Sequence, residues 1–142
     1  MRLPDVNLLL YAVDAAAPRH EAARRWLEAE LSGSETFAFA WTVLLAFLRL
    51  STSPRVFQAP LTLSEAFGFV HGWLAQPNAT VIHPTERHSE ILRGLLEPLG
   101  IAGNLVSDAH LAALSIEHGA ELCSSDTDFS RFAGIRWRDP LA

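Results

Sequence analysis

Four aspartates are the residues of this chain best suited to chemistry: Asp5, Asp108, Asp126 and Asp128. Each stands where a short apolar run gives way to a turn or a helix. If they share one pocket, Coulomb repulsion dominates it, because two like charges ~4 Å apart cost about 4 kcal/mol at an effective dielectric of ~20. Groups so placed must take up protons or hold a cation. Hard oxygen ligands without His or Cys suit Mg²⁺ or Mn²⁺. Such an ion activates water and neutralises charge on a phosphoryl oxygen. The chemistry would then be phosphodiester hydrolysis or another phosphoryl transfer.

Each position also has a plainer reading. Asp is a preferred helix N-cap, which would account for Asp5 and Asp108 one at a time. The run Ser124-Ser125-Asp126-Thr127-Asp128 is rich in turn formers. Four such coincidences in one small chain weigh against caps and turns as the whole account.

The elements that must position these acids alternate between strands and helices. Residues 2–5 read as a buried strand opening into a helix from Val6 to Tyr11. Pro18-Arg19-His20 starts a second helix, with Ala22, Ala23, Trp26, Leu27 and Leu31 at helical spacing. Thr36–Ala40 reads as a strand, and Thr42–Leu50 as a buried helix capped by Thr42. Thr62 or Ser64 caps the next helix, with Glu65 in its first turn. Thr80–His83 is a strand candidate, after which Thr85 caps a helix bearing Ile91, Leu92, Leu95 and Leu96. Gly100–Asn104 reads as a loop. Ser107 or Asp108 starts the helix Ala109–Glu117, which Gly119 ends. Ala120–Cys123 and Ile135–Trp137 are the last strands, with a turn and a short helical piece, Phe129–Phe132, between them. Strand-helix alternation with short connections implies a parallel sheet covered by helices on both faces. Ligands of such sheets sit at the carboxyl ends of the strands, which is where Asp5, Asp126 and Asp128 fall.

Composition sets the outer limits. The 142 residues suit one domain over 1–142. With 49% hydrophobic and 19% charged residues, the chain is not a disordered one. The single Cys123 excludes an internal disulfide framework and a Cys-rich zinc site, and a reducing, cytoplasmic setting is expected. Phe37–Leu48 is far shorter than the ~20 residues a spanning helix needs. Asp5, Asn7 and Asp14 interrupt what would be the apolar part of a signal peptide. All 11 basic residues are Arg, whose planar fork suits phosphates and stacks on bases. A net charge of -5 does not announce a nucleic-acid binder, but acids gathered in a metal pocket would account for much of it.

Four segments together resemble PIN-domain ribonucleases, specifically the VapC-type toxins of bacterial toxin–antitoxin pairs. They are "PDVNLLLYA" (Pro4–Ala12), "WTVLLAFLRLSTSPRVF" (Trp41–Phe57), "GNLVSDAHLAAL" (Gly103–Leu114) and "EHGAELCSSDTDFSRF" (Glu117–Phe132). The resemblance implies a three-layer α/β/α sandwich around a central, mostly parallel five-stranded sheet with an acidic Mg²⁺ pocket. It implies an endoribonuclease acting on structured RNA such as tRNA or rRNA. It further implies a cognate VapB-like antitoxin, which would insert a helix or an Arg near the acids, and a homodimer. By matching motifs, Asp5, Asp108 and Asp126 are the expected metal ligands, Asp128 accompanies them, and Ser124 helps hold their loop. One departure stands out: Ala46 falls where many PIN nucleases place a Glu.

Arg49 and Arg55 flank the "STSP" turn and could contact phosphates, or simply be solvated. Thr42 and Asn104 could position a phosphate or a water. Asn7 could orient Asp5 or merely end the strand. His110 reads as a surface or packing residue, Trp26, Trp41 and Trp73 as core, and Cys123 as packing rather than nucleophile. Two alternatives to a nuclease remain. One is a catalytically weakened domain that binds RNA or antitoxin. The other is a phosphatase-like enzyme with an Asp nucleophile, which the absence of any Lys disfavours.

Overall fold

The computed structural model describes residues 1–100 and 103–142. Five short strands, β1 (Arg2–Pro4), β2 (Phe37–Phe39), β3 (Ala79–Val81), β4 (Glu121–Cys123) and β5 (Arg136–Arg138), form one sheet in the order β3-β2-β1-β4-β5. Every pairing is parallel. The sheet is therefore wholly rather than mostly parallel. Leu3, Phe37, Ala38, Phe39, Leu122 and Cys123 are all fully buried. Consecutive strand residues point to opposite faces, so burial of whole runs means that both faces are covered. Among the described residues six α-helices supply the cover: α1 (Val6–Val13), α2 (His20–Leu31), α3 (Trp41–Ser51), α4 (Leu63–Leu74), α5 (His88–Leu96) and α6 (Val106–His118). This is the expected α/β/α sandwich.

Parallel strands place all their carboxyl ends on one edge. β1 and β4 are neighbours in the middle of the sheet, with Pro4 beside Cys123. The next residues, Asp5 and Ser124, are thereby brought side by side, and the Asp5 N–H donates to the Cys123 carbonyl at 2.8 Å. α6 carries Ala109, Leu111, Ala112, Ala113 and Leu114 into the core, and its first turn presents Asp108. Gly119 ends it in a left-handed conformation, φ 65°, which an L side chain would strain.

Three helix starts depart from the sequence reading. α3 begins at Trp41 with Ala40 as its N-cap and no side-chain cap, so Thr42 lies inside the helix. α5 begins at His88, not at Thr85, whose hydroxyl instead accepts from the Arg87 N–H and donates to Glu117. α6 begins at Val106, so Asp108 is a first-turn residue and not a cap. The loop expected over 100–104 includes residues 101 and 102, which lie outside the described residues; Gly103–Leu105 is a 3₁₀ turn. Trp41, expected in the core, is 44% exposed, whereas Trp73 is 8% exposed. Helical spacing groups apolar residues on a face but does not say what that face meets.

The start of α4 follows expectation. The Thr62 hydroxyl accepts from the Glu65 N–H at 3.1 Å, and the Glu65 carboxylate accepts from the Thr62 N–H at 2.9 Å. This reciprocal capping box satisfies two otherwise orphaned donors. Thr62→Ala is expected to cost about 1 kcal/mol, a fall of roughly 3–4 °C in the melting midpoint followed by circular dichroism.

Candidate active site

Asp5 is fixed from both sides. It is the N-cap of α1, and its Oδ1 accepts from the Val6 N–H at 2.7 Å. Its Oδ2 accepts from the Ser124 hydroxyl at 2.8 Å and from the Asn7 side-chain amide at 3.4 Å. Asn7 also donates to Ser124 at 3.1 Å. Asn7 thus orients the carboxylate rather than ending the strand. Ser124, fully buried, accepts from the Asp126 N–H at 3.0 Å, and its carbonyl accepts from Trp137 Nε1 at 3.0 Å. One hydroxyl therefore ties the end of β1 to the turn after β4. In that turn Asp126 Oδ1 accepts from the Asp128 N–H at 2.9 Å, so Asp126 is also a cap.

Carboxylate oxygens of Asp108, Asp126 and Asp128 come within 4.8 Å of one another. Asp5 stands outside this trio but close enough for its charge to act on Asp108. Capping thus accounts for one role of Asp5, and Asp126 caps the short turn after β4, whereas Asp108 caps nothing. A cleft of about 120 Å³ is lined by Asp5, Thr42, Ala46, Ser107, Asp108 and Leu111. Three larger cavities, about 130, 320 and 330 Å³, lie elsewhere, and none has more than a single acid in its wall. The acids, and not cavity size, mark the site.

The electrostatics follow from this crowding. Burial, then repulsion from Asp5, Asp126 and Asp128, raises the Asp108 pKa from 3.8 to about 6. Burial pushes Asp5 up as well; the bonds from Ser124 and Val6 pull it down, Asp126 pushes it further up, and the net direction is upward. Among the described residues no His or Cys joins the cluster. A hard, all-oxygen donor set whose members resist ionising together fits a divalent cation.

The remaining expected residues divide. Thr42 and Ala46 face the cleft, one turn apart on α3. Ala46 is thus where a Glu would reach the acids, and a methyl group stands there instead. Arg49 and Arg55 are exposed, and among the described residues neither has a carboxylate within ion-pair distance. Asn104 is exposed on the 3₁₀ turn before α6 and does not line the cleft. Cys123 is buried and its thiol is pushed up to about 12 by burial, and further by Glu121, which leaves it a packing group.

A second polar cluster was not foreseen. His88 Nδ1 lies 2.5 Å from Glu117 Oε2, and His88 Nε2 lies 2.9 Å from His110 Nδ1. Thr85 donates to Glu117 through both its N–H, at 2.8 Å, and its hydroxyl, at 2.6 Å. Burial pushes Glu117 up, but the bonds from His88 and Thr85 outweigh it and hold the carboxyl below its ordinary value. His110 therefore joins α6 to α5 and faces away from the acids. The partners are 22 and 29 residues apart, beyond any local pattern.

With the geometry in hand, the chain compares closely with known proteins. The model of the PIN domain family matches residues 2–135. Ribonuclease VapC37 of Mycobacterium tuberculosis is 47% identical over 142 residues, 100% of this chain and 99% of the relative. Ribonuclease VapC33 of the same species is 45% identical over 99% of both chains. In fold, the chain is similar to the VapBC2 structure of Rickettsia felis, described as bound to a DNA fragment from the promoter, with a TM-score of 0.71 at 19% identity over 96% of both chains. The chain belongs to the PIN domain family, as a ribonuclease of the VapC toxin type.

A carboxyl whose folded pKa exceeds its unfolded value costs stability once it ionises. For Asp108 that cost is absent below its ordinary 3.8 and fully present above about 6. The cleft is open to solvent, so the cost is discounted to about 1 kcal/mol. In EDTA, well above the Asp108 titration, Asp108→Asn is expected to raise the melting midpoint by roughly 3 °C. The gain should vanish in acid, where the wild-type carboxyl is already neutral.

Proposed function

We propose that this chain is a Mg²⁺-dependent endoribonuclease toxin, also able to use Mn²⁺, that cuts structured cellular RNA such as tRNA or rRNA in the cytoplasm. The observation that carries this reading is the convergence of Asp5, Asp108, Asp126 and Asp128 at the carboxyl edge of a parallel sheet. A divalent ion bound there supplies charge neutralisation at a phosphoryl oxygen and lowers the pKa of water. Asp108 and Asp126 would hold the ion with Asp5, and Asp128 would complete the set or substitute for the Glu that Ala46 replaces. Ser124 and Asn7 keep Asp5 aimed at the cleft. Thr42 lies where its hydroxyl reaches a phosphate or an attacking water, and Asn104 acts from the rim. Arg49 and Arg55, free of carboxylates, take backbone phosphates. In this reading water attacks phosphorus directly and in line, the P–O bond opposite it breaks, and a ribose oxygen leaves and takes up a proton.

The whole chain, 1–142, works as one domain and as a homodimer. Its activity is restrained by a cognate VapB-like antitoxin that presents cationic groups to the acidic cleft. The names of related structures support such a partner: the R. felis structure is of VapBC2. The RNA class finds support in a fold neighbour from M. tuberculosis, VapC20, described as a sarcin-ricin loop cleaving toxin.

Ala46 favours a second reading. With a methyl group in the cleft where a carboxylate would assist, the domain would bind RNA or antitoxin with cutting weakened. Incubating a tRNA pool with the wild type and with Asp5→Asn, each with Mg²⁺ or EDTA, separates the two. The nuclease reading expects Mg²⁺-dependent cutting that falls to the EDTA background in the variant, together with loss of growth arrest on expression. Unchanged toxicity of Asp5→Asn would contradict it. Intact RNA binding without cutting would establish the second reading.

A further inference from the structure

Three of the four tryptophans have evident structural work. Trp26 packs edge-on against Phe37 at 5.8 Å between ring centroids. Trp73 stacks on Phe39 at 6.1 Å and meets Phe47 at 4.8 Å. Trp137 donates to the Ser124 carbonyl. Trp41 does none of this: it is 44% exposed, and among the described residues its ring has no aromatic neighbour and its N–H no acceptor.

Its place in the fold is specific. β2 ends at Phe39, Ala40 caps α3, and Trp41 is the first residue of that helix. Parallel pairing puts it on the sheet edge that carries Asp5 and the Ser124–Asp128 turn, and β2 is the direct neighbour of β1 on the side away from β4. The following residue, Thr42, lines the acidic cleft with Asp5 and Asp108. Leu45, one turn on, is also exposed, at 59%. Seven residues beyond Thr42, on nearly the same face and roughly 10 Å along the axis, stands the unpaired Arg49. A bare indole, an acidic cleft and a free guanidinium thus lie along one helix.

We propose that Trp41 is a base-stacking subsite of the active site, taking the face of an unpaired nucleobase beside the phosphodiester that lies in the acidic cleft. Every base presents a π-face, so stacking holds single-stranded RNA with little regard to sequence. Arg49 complements it by meeting the phosphate backbone further along the helix. A paired base has its faces covered by its neighbours, so this subsite selects loops and other unpaired segments. The proposal rests on RNA being the substrate of the cleft. The competing occupant of this face is a second copy of the chain, burying Trp41 and Leu45.

The test measures binding of the full chain in EDTA, where no cutting occurs, by fluorescence anisotropy. The probes are a labelled random-sequence single-stranded oligoribonucleotide, its duplex form, and an abasic strand of equal length. Trp41→Ala is expected to bind the single strand roughly tenfold to a hundredfold more weakly. Trp41→Phe should recover most of the loss, and neither change should alter binding of the abasic strand or the duplex. Equal single-strand binding by wild type and Trp41→Ala overturns the proposal, as does an equal loss on all three probes. So does a shift from dimer to monomer in sedimentation with RNA binding intact, which would assign the face to a second copy. Failure of the nuclease reading looks different: wild type would cut no RNA in Mg²⁺, whatever Trp41→Ala does to binding.

Discussion

Like charges in a half-buried cleft repel, and much of the local structure around Asp5 and Asp108 holds them together against that repulsion. At ~4 Å and an effective dielectric of ~20 the cost is about 4 kcal/mol per pair. Burial first, and then the neighbouring acids, raise the Asp108 pKa to about 6. A fold concerned with stability alone would place Asn or Ser at such positions. Retaining carboxylates there makes sense when a cation completes the arrangement.

The device that enforces the crowding is the register of two central strands. Pro4 beside Cys123 makes Asp5 and Ser124 immediate neighbours. A buried hydroxyl then links Asp5 to the Asp126 N–H, while Asn7 braces both. α6 delivers Asp108 from the other direction, and its rotation is fixed by a core-facing side of Ala and Leu. On its opposite flank the His88–Glu117–His110 cluster ties the helix to α5. Among the described residues the site is thus built from helices and strand ends, with an irregular contribution from the short turn after β4.

The main lines of this arrangement were legible in the sequence. The apolar runs ending in Asp5 and in Ser124–Asp128 mark strand ends, and a strand-helix alternation leaves few topologies other than a parallel sheet. The Thr62–Glu65 capping box was legible for the same reason: its partners lie three residues apart and need no tertiary context. What escaped was set by distant contacts. Thr42 is a good cap by type, yet α3 is capped two residues earlier, at Ala40, and Thr42 lies inside the helix, lining the cleft. Trp41 is apolar by type, yet it stays 44% exposed. The histidine cluster joins residues brought together only by the packing of α5 on α6. Arg49, Arg55 and Asn104 are at the surface, where local pattern carries little information about role.

The central claim is that the acids are in balance with a divalent ion, and the thermal midpoint of the wild-type protein against added MgCl₂ tests it most directly. The account predicts a midpoint that rises with Mg²⁺ at pH values above the Asp108 titration, and a much smaller rise below it, where protons have already relieved the repulsion. A midpoint indifferent to Mg²⁺ and to Mn²⁺ on both sides of that titration would contradict it.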